Sequence, residues 1–359
     1  MKLFKKLIFT IFLLCKTCYS IEYFSRYKNI VDEKNNVLHL KGINYFGFET
    51  SCNIVHGLWK HNIDFYLDIL HDNKFNFIRL PIAYESAINL ETPINNHCVT
   101  EDKTFQDITV KEGIHIIFEK MKDRHMFMLL DIHTLNNIIT EKPYGYDYNN
   151  KYHTDFSEGI INLIKEYNKH ENLLGIDIKN EPHGDITFEE WESLVDLMID
   201  KVETKVENFR GVYFVEGVQQ PPSSAWGGSF STLPDNSFLI NNEKIVFSPH
   251  VYGFSVRGDI ALKEGTDDWE HAFGYLSMYN NAIVIGEFGG RFDKLDKGYH
   301  YRLLDYLKYK KITSTAFWCL NPNSGDTHGL LLDDWTMINY DKLLFLEKLQ
   351  SNPTIRIFK

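Results

Sequence analysis

The sequence predicts an α/β protein of the (β/α)8 TIM-barrel class, folded as a single domain. Three observations lead there. Eight short apolar or β-branched runs alternate with helix-like stretches between residues 37 and 318, the order from which a parallel barrel is built. Nearly every run stops at a polar or charged residue. No Pro-, Ser- or Gly-rich linker divides the chain, so residues 21–359 read as one domain.

The strand candidates are 37–44, 76–81, 126–133, 174–180, 211–215, 245–250, 282–287 and 314–318. Between them lie 63–73, 110–124, 156–168, 188–207 and 299–310. In these stretches apolar residues recur at three- and four-residue spacing, as helices packed on a sheet require.

Residues 1–20 stand outside this rhythm. Lys2, Lys5 and Lys6 precede a nine-residue apolar run from Leu7 to Cys15, and uncharged residues then lead to Ser20. This is the plan of a secretory signal peptide cleaved after Ser20. The competing reading, an uncleaved anchor, meets a run well short of the roughly 20 residues that cross a bilayer. The expected product is therefore secreted and free of the membrane.

Composition narrows the partners. The chain carries 38 basic and 49 acidic residues, a net charge of −11 that grows more negative without the four lysines of the leader. That balance argues against a nucleic-acid surface and against anionic membranes. Of five cysteines, Cys52, Cys98 and Cys319 remain after the leader, an odd number that leaves at least one unpaired. Cys319 lies in an apolar run and reads as a buried thiol; a Cys52–Cys98 disulfide is one pairing the sequence allows. The 15 histidines lack metal-ligand spacing, and no nucleophile elbow, zinc-helix motif or phosphate loop is present. No metal or cofactor is expected, and the molecule is expected to be a monomer.

The chemistry lies where the runs stop. In a parallel barrel all strand C-termini meet at one face. Arg79, His133, Asn180, Glu181, His250, Tyr252, Glu287 and Trp318 occupy such ends, and that face would collect them in one place. Glu181 sits between Asn180 and Pro182, and the proline is expected to hold it extended at the barrel mouth. Glu287 ends a run whose Gly286 leaves room for a close neighbour. Two carboxyls facing each other across a sugar are what glycosidic hydrolysis needs: one holds a proton for the leaving oxygen and one meets the developing oxocarbenium.

The blocks Gly42-Ile-Asn-Tyr-Phe-Gly-Phe-Glu-Thr, Phe77-Ile-Arg-Leu-Pro, Leu130-Asp-Ile-His, Asn180-Glu-Pro-His, Phe214-Val-Glu-Gly-Val, Ser248-Pro-His-Val-Tyr, Ile285-Gly-Glu-Phe-Gly and Phe317-Trp together resemble glycoside hydrolase family 5. The likeness is strongest to its bacterial-type endo-β-1,4-glucanase branch and runs from about Val37 to Trp335. The resemblance implies Glu181 as acid/base and Glu287 as nucleophile of a retaining double displacement. It implies Asn180 on the sugar 2-hydroxyl, Arg79 and Tyr252 beside Glu287, His133 and His250 lining the subsite, and Trp318 as its floor. It also implies a cis peptide between Trp318 and Cys319. The substrate would be a β-1,4-glucan. The same chemistry on mannan, xyloglucan or mixed-linkage glucan stays open, as does a barrel that binds carbohydrate without cleaving it.

The sequence departs from the family pattern after His133, where Thr134-Leu-Asn-Asn137 replaces the usual residues. A sugar contact or disulfide partner in that loop would be lost, which weakens any carry-over of a disulfide to Cys52. Trp226 is a candidate sugar platform, as are Trp269 in the long sixth loop and, less so, Trp59 and Trp335. Asn323 to His328 resembles a substrate-facing loop of the same branch.

Overall fold

The computed structural model describes residues 21–135, 155–184, 186–221 and 225–358. The expected signal peptide and Asn136–Asn137 lie outside these residues. The chain opens with a small antiparallel sheet, β1 (Tyr23–Arg26), β2 (Asn29–Asp32) and β3 (Val37–Leu38). The barrel follows: β4 (Lys41–Asn44), β5 (Phe77–Ala83), β6 (Phe127–Thr134), β7 (Leu173–Asp177), β8 (Val212–Val215), β9 (Ile245–Phe247), β10 (His250–Tyr252), β11 (Ile285–Gly289) and β12 (Thr315–Phe317).

All pairings within this second sheet are parallel. Its nine segments are eight barrel strands, because β9 and β10 are two halves of one strand broken at Ser248-Pro249. Pro249 has no N–H for the ladder, so the break falls there. The first half pairs with β8 and the second with β11, and a Phe247–Ile283 bridge spans the join. The (β/α)8 reading holds.

Helices Ile63–Asp72, Val110–Asp123, Ser157–Tyr167, Phe188–Lys205 and Lys294–Lys310 cover the outside. The first four match the expected ranges to within two residues at either end, and Lys294–Lys310 begins five residues earlier than expected. Thr109 and Thr187 start two of them with capping boxes, closed by Glu112 and Glu190.

Two apolar layers result. Outward strand residues such as Ile43, Ile78 and Met128 pack with the helices. Inward residues Phe77, Phe127, Leu129, Leu174, Phe214 and Val246 fill the lower barrel. The N-terminal sheet closes the bottom: Tyr23 N–H donates to Arg210 O and Ser25 N–H to Glu243 O, each at a turn entering a strand. Tyr23 joins the inner layer edge-on to Phe127, at 5.9 Å between ring centroids.

The first barrel loop is tied to the second by a Cys52–Cys98 disulfide, so the departure after His133 did not cost Cys52 a partner. Cys319 is free and buried, as read from the sequence, and the Trp318–Cys319 peptide is cis.

Candidate active site

Side chains alternate along a strand, so the residue two positions above an inward apolar group also faces inward. On β5, Phe77 is followed by Arg79. On β6, Phe127 and Leu129 are followed by Asp131 and His133. Beyond β8, Phe214 is followed by Glu216. The barrel interior thus turns from apolar to ionic within two residues of height.

Arg79 is the hub of this upper layer and is fully buried. Its Nε donates to Asp177 at 2.9 Å. Nη1 donates to Asn44 at 3.0 Å and to Glu287 at 2.5 Å, and Nη2 to Asn180 at 3.0 Å and Glu216 at 3.1 Å. All five guanidinium N–H groups have acceptors, which is what makes a buried charge tolerable.

Glu287, on β11, has both oxygens engaged: Oε1 by Arg79 and Oε2 by the Tyr252 hydroxyl at 2.6 Å. Glu181 lies in a different setting. Strand β7 ends at Asp177 rather than Asn180, so Asn180 and Glu181 stand in the loop above it, held in register by Asn180 N–H to Ile132 O. Glu181 is not extended as the following proline suggested; its φ is +51°. The competing force is a 2.7 Å hydrogen bond from its N–H to the Glu216 carboxyl. Gly227, with φ +65°, passes so close that a Cβ there would come within 2.2 Å of Glu216 Oε2 and 3.3 Å of the Glu181 Cα.

Oε1 of Glu181 meets Nδ1 of His250 at 3.1 Å. Burial raises the Glu181 pKa to about 8; Glu287 and Glu216 add to the rise, and the His250 contact only partly offsets it. Carboxylate oxygens of Glu181 and Glu287 and one ring nitrogen of His250 all lie within 4.8 Å of one another.

A cleft of about 480 Å³ opens over this pair. Asn180, Glu181, Tyr252 and Glu287 form its base, and His133, Trp226 and Trp318 its walls. His133 hydrogen-bonds Asp131 at 2.6 Å; burial opposes its charge, but Asp131 outweighs that and lifts its pKa to about 9. Trp318 lies parallel to His133, 5.4 Å between centroids, and its Nε1–H donates to Ser324 at 3.2 Å. Ser324, Asp326 and Thr327 reach the cleft, as the resemblance implied for that loop. Trp226 is 42% exposed and stacks on His183 at 3.8 Å.

Two further expectations change. His250 does not line the cleft; it is wholly buried beneath, with Nε2 3.1 Å from Glu216 Oε1. Trp269 is no platform, being 1% exposed against Tyr299 and Tyr306, and Trp59 and Trp335 brace one another edge to face. Sequence reasoning assigned no part to Asn44, Asp177 or Glu216. The two-residue alternation above Phe214 was the signal that could have found Glu216.

A family model for cellulase, glycosyl hydrolase family 5, matches residues 31–324. The major extracellular endoglucanase of Xanthomonas campestris is 30% identical over 351 residues, covering 90% of this chain and 70% of that protein. An endoglucanase of Paenibacillus polymyxa is 30% identical, covering 89% and 85%. Among solved structures, the catalytic domain of the Xanthomonas enzyme superimposes with a TM-score of 0.82 at 28% identity, over 92% of this chain and all of that one. An endocellulase from Pyrococcus horikoshii in complex with cellotetraose gives 0.81 at 28% identity, over 92% and 98%. With its barrel, its two facing carboxyls and these relatives, the chain belongs to glycosyl hydrolase family 5 and is a glycoside hydrolase.

Proposed function

We propose that the enzyme hydrolyses internal β-1,4-glucosidic bonds of a glucan with retention at the anomeric carbon. The observation that carries this reading is the meeting of Glu181 and Glu287, with oxygens within 4.8 Å, at the base of one cleft. Retaining enzymes hold their carboxyls about 5–5.5 Å apart, whereas inverting ones leave about 6.5–9.5 Å for a water. The surroundings divide the labour. Glu181, half-buried and protonated, donates to the leaving oxygen while Glu287, aimed by Arg79 and Tyr252, attacks the anomeric carbon. Glu181 then takes a proton from water as the glycosyl–Glu287 ester is hydrolysed. Asn180, fixed by Arg79, is placed for the sugar 2-hydroxyl, and Trp318 and Trp226 offer faces for pyranose rings.

The choice of β-1,4-glucan rests on relatives named as endoglucanases and an endocellulase structure holding cellotetraose. Residues 1–20 are proposed as the leader of a secreted, monomeric enzyme. In keeping with this, a Xanthomonas relative is named extracellular, and no helix among the described residues is long and apolar enough to cross a membrane. The test is reducing-sugar release from carboxymethyl-cellulose, lichenan, mannan and xyloglucan, with the anomer first formed read by proton NMR. β-1,4-Glucans should be cut fastest, with the β-anomer appearing first. Preference for mannan, or the α-anomer first, would overturn the proposal.

A further inference from the structure

Glu216 was given no role by the sequence, yet it contacts Glu181, Arg79 and His250. It is fully buried one residue beyond β8. Oε2 accepts the Glu181 N–H at 2.7 Å, and Oε1 lies 3.1 Å from both Arg79 Nη2 and His250 Nε2. The His250 ring therefore bridges two carboxyls, with Nδ1 toward Glu181 and Nε2 toward Glu216. Nε2 has no aligned hydrogen bond: Glu216 Oε1 lies 3.1 Å away but off the axis of the ring nitrogen, so the contact becomes a hydrogen bond only with a rotation of the ring or the carboxyl.

We propose that Glu216, as a neutral carboxylic acid, is a positioning residue that sets the tautomer of His250 and thereby leaves the acid proton of Glu181 on the oxygen away from that ring. The proposal rests on the reading of Glu181 as acid/base. Charge accounting supports the neutral form. The groups facing Glu216 are Arg79 from β5, Asp131 from β6, Asp177 from β7, Glu287 from β11, and Glu181 and His250. Four carboxyls, those of Asp131, Asp177, Glu216 and Glu287, surround one guanidinium. Arg79, His133 and, beside Asp131, Lys179 are the cations, so at least one of the four acids must hold a proton to avoid unpaired buried charge. Asp131 is paired with both cations, and Glu287 receives Arg79 and the Tyr252 hydroxyl. That leaves Asp177 and Glu216; burial and the neighbouring Asp177 push Glu216 well above the usual carboxylate range.

The consequence is directional. A Glu216 O–H donated to Nε2 leaves neutral His250 with its proton on Nδ1. That N–H is given to Glu181 Oε1, so the proton of Glu181 sits on Oε2, free for the leaving oxygen. An ionised Glu216 would instead keep a proton on Nε2. The bare Nδ1 would then accept the acid proton and draw it away from substrate.

The test compares wild type, Glu216→Gln and Glu216→Ala on cellohexaose, whose leaving group needs an acid, and on 2,4-dinitrophenyl cellobioside, whose leaving group does not. Glutamine offers an N–H to Nε2 and a carbonyl to the Glu181 N–H, so toward those two groups it matches the neutral acid; its amide nitrogen cannot accept from Arg79 Nη2, which keeps the oxygens of Asn180 and Asp131. Glu216→Gln should stay within about threefold of wild type on both substrates, with the alkaline limb of kcat/KM unmoved. Glu216→Ala should lose about 100-fold in kcat on cellohexaose with KM little changed, and less than about tenfold on the aryl substrate. Nitrogen-15 NMR should find His250 as the Nδ1–H tautomer in wild type and Glu216→Gln, a readout that stands even where Glu216→Ala fails to fold. A proton on Nε2 in the wild type, or Glu216→Gln as damaged as Glu216→Ala in an otherwise active enzyme, would overturn the role of Glu216 alone. A wild type inert toward both substrates would overturn the underlying reading of Glu181.

Discussion

Glu181 and Glu287 are the same side chain given different chemistry by their neighbours. Glu287 faces a guanidinium and a phenol, which donate to its two oxygens and fix its aim. Glu181 is half-buried near two other carboxyls; loss of water and then these charges favour the acid and raise its pKa to about 8. The sign follows directly: the acid must hold its proton to protonate a leaving group, so kcat/KM on cello-oligosaccharides should fall as pH rises through about 8. A profile from pH 5 to 10 checks this, and a limb near the ordinary glutamate range would contradict it. Glu181→Gln should abolish that limb and cost about 100-fold or more on glucan, while dinitrophenyl cellobioside still glycosylates the enzyme. Equal losses on both substrates would mean the roles are misassigned. At this scale the sequence was legible where backbone pattern sufficed, at Arg79, His133, Glu287 and Trp318. It failed for the conformation of Glu181, because the proline rule is local whereas the Glu216 hydrogen bond crosses 35 positions of sequence.

Elements were read well where periodicity is long. The helix at Val110–Asp123 shows four turns of spacing and a capping box, so its limits fell within a residue. β4 and β8 are only four residues long and were still found, because they belong to the repeated βα rhythm; the β1–β2 hairpin lies outside that rhythm, beneath the barrel, and was missed. The Cys52–Cys98 bond was likewise only one allowed pairing, since spacing says nothing of which loops meet in space. It joins cysteines 46 positions apart, and a loop of that length is worth about 4 kcal/mol in the chain-entropy model. Cys52→Ser/Cys98→Ser should lower the urea midpoint by a corresponding amount while leaving kcat near wild type at 25 °C, because neither cysteine lines the cleft. An unchanged midpoint would show that the first barrel loop is fixed by its packing alone.

Across the whole molecule, the barrel separates stability from chemistry by height. Phenylalanines and aliphatic side chains fill the lower interior, the N-terminal sheet closes it, and the ionic layer around Arg79 sits above with the cleft on top. Eight strand ends are needed because no single element could bring two acids 106 residues apart in sequence within 4.8 Å. The measurement that probes this convergence most directly is covalent trapping with 2,4-dinitrophenyl 2-deoxy-2-fluoro-cellobioside. The fluorine destabilises both oxocarbenium-like transition states while the activated leaving group restores only the first, so the glycosyl-enzyme accumulates. Peptide mass spectrometry should place the sugar on Glu287, with one adduct per chain and none in Glu287→Gln. An adduct on Glu181, or full activity on glucan without any adduct, would contradict the two-carboxylate account.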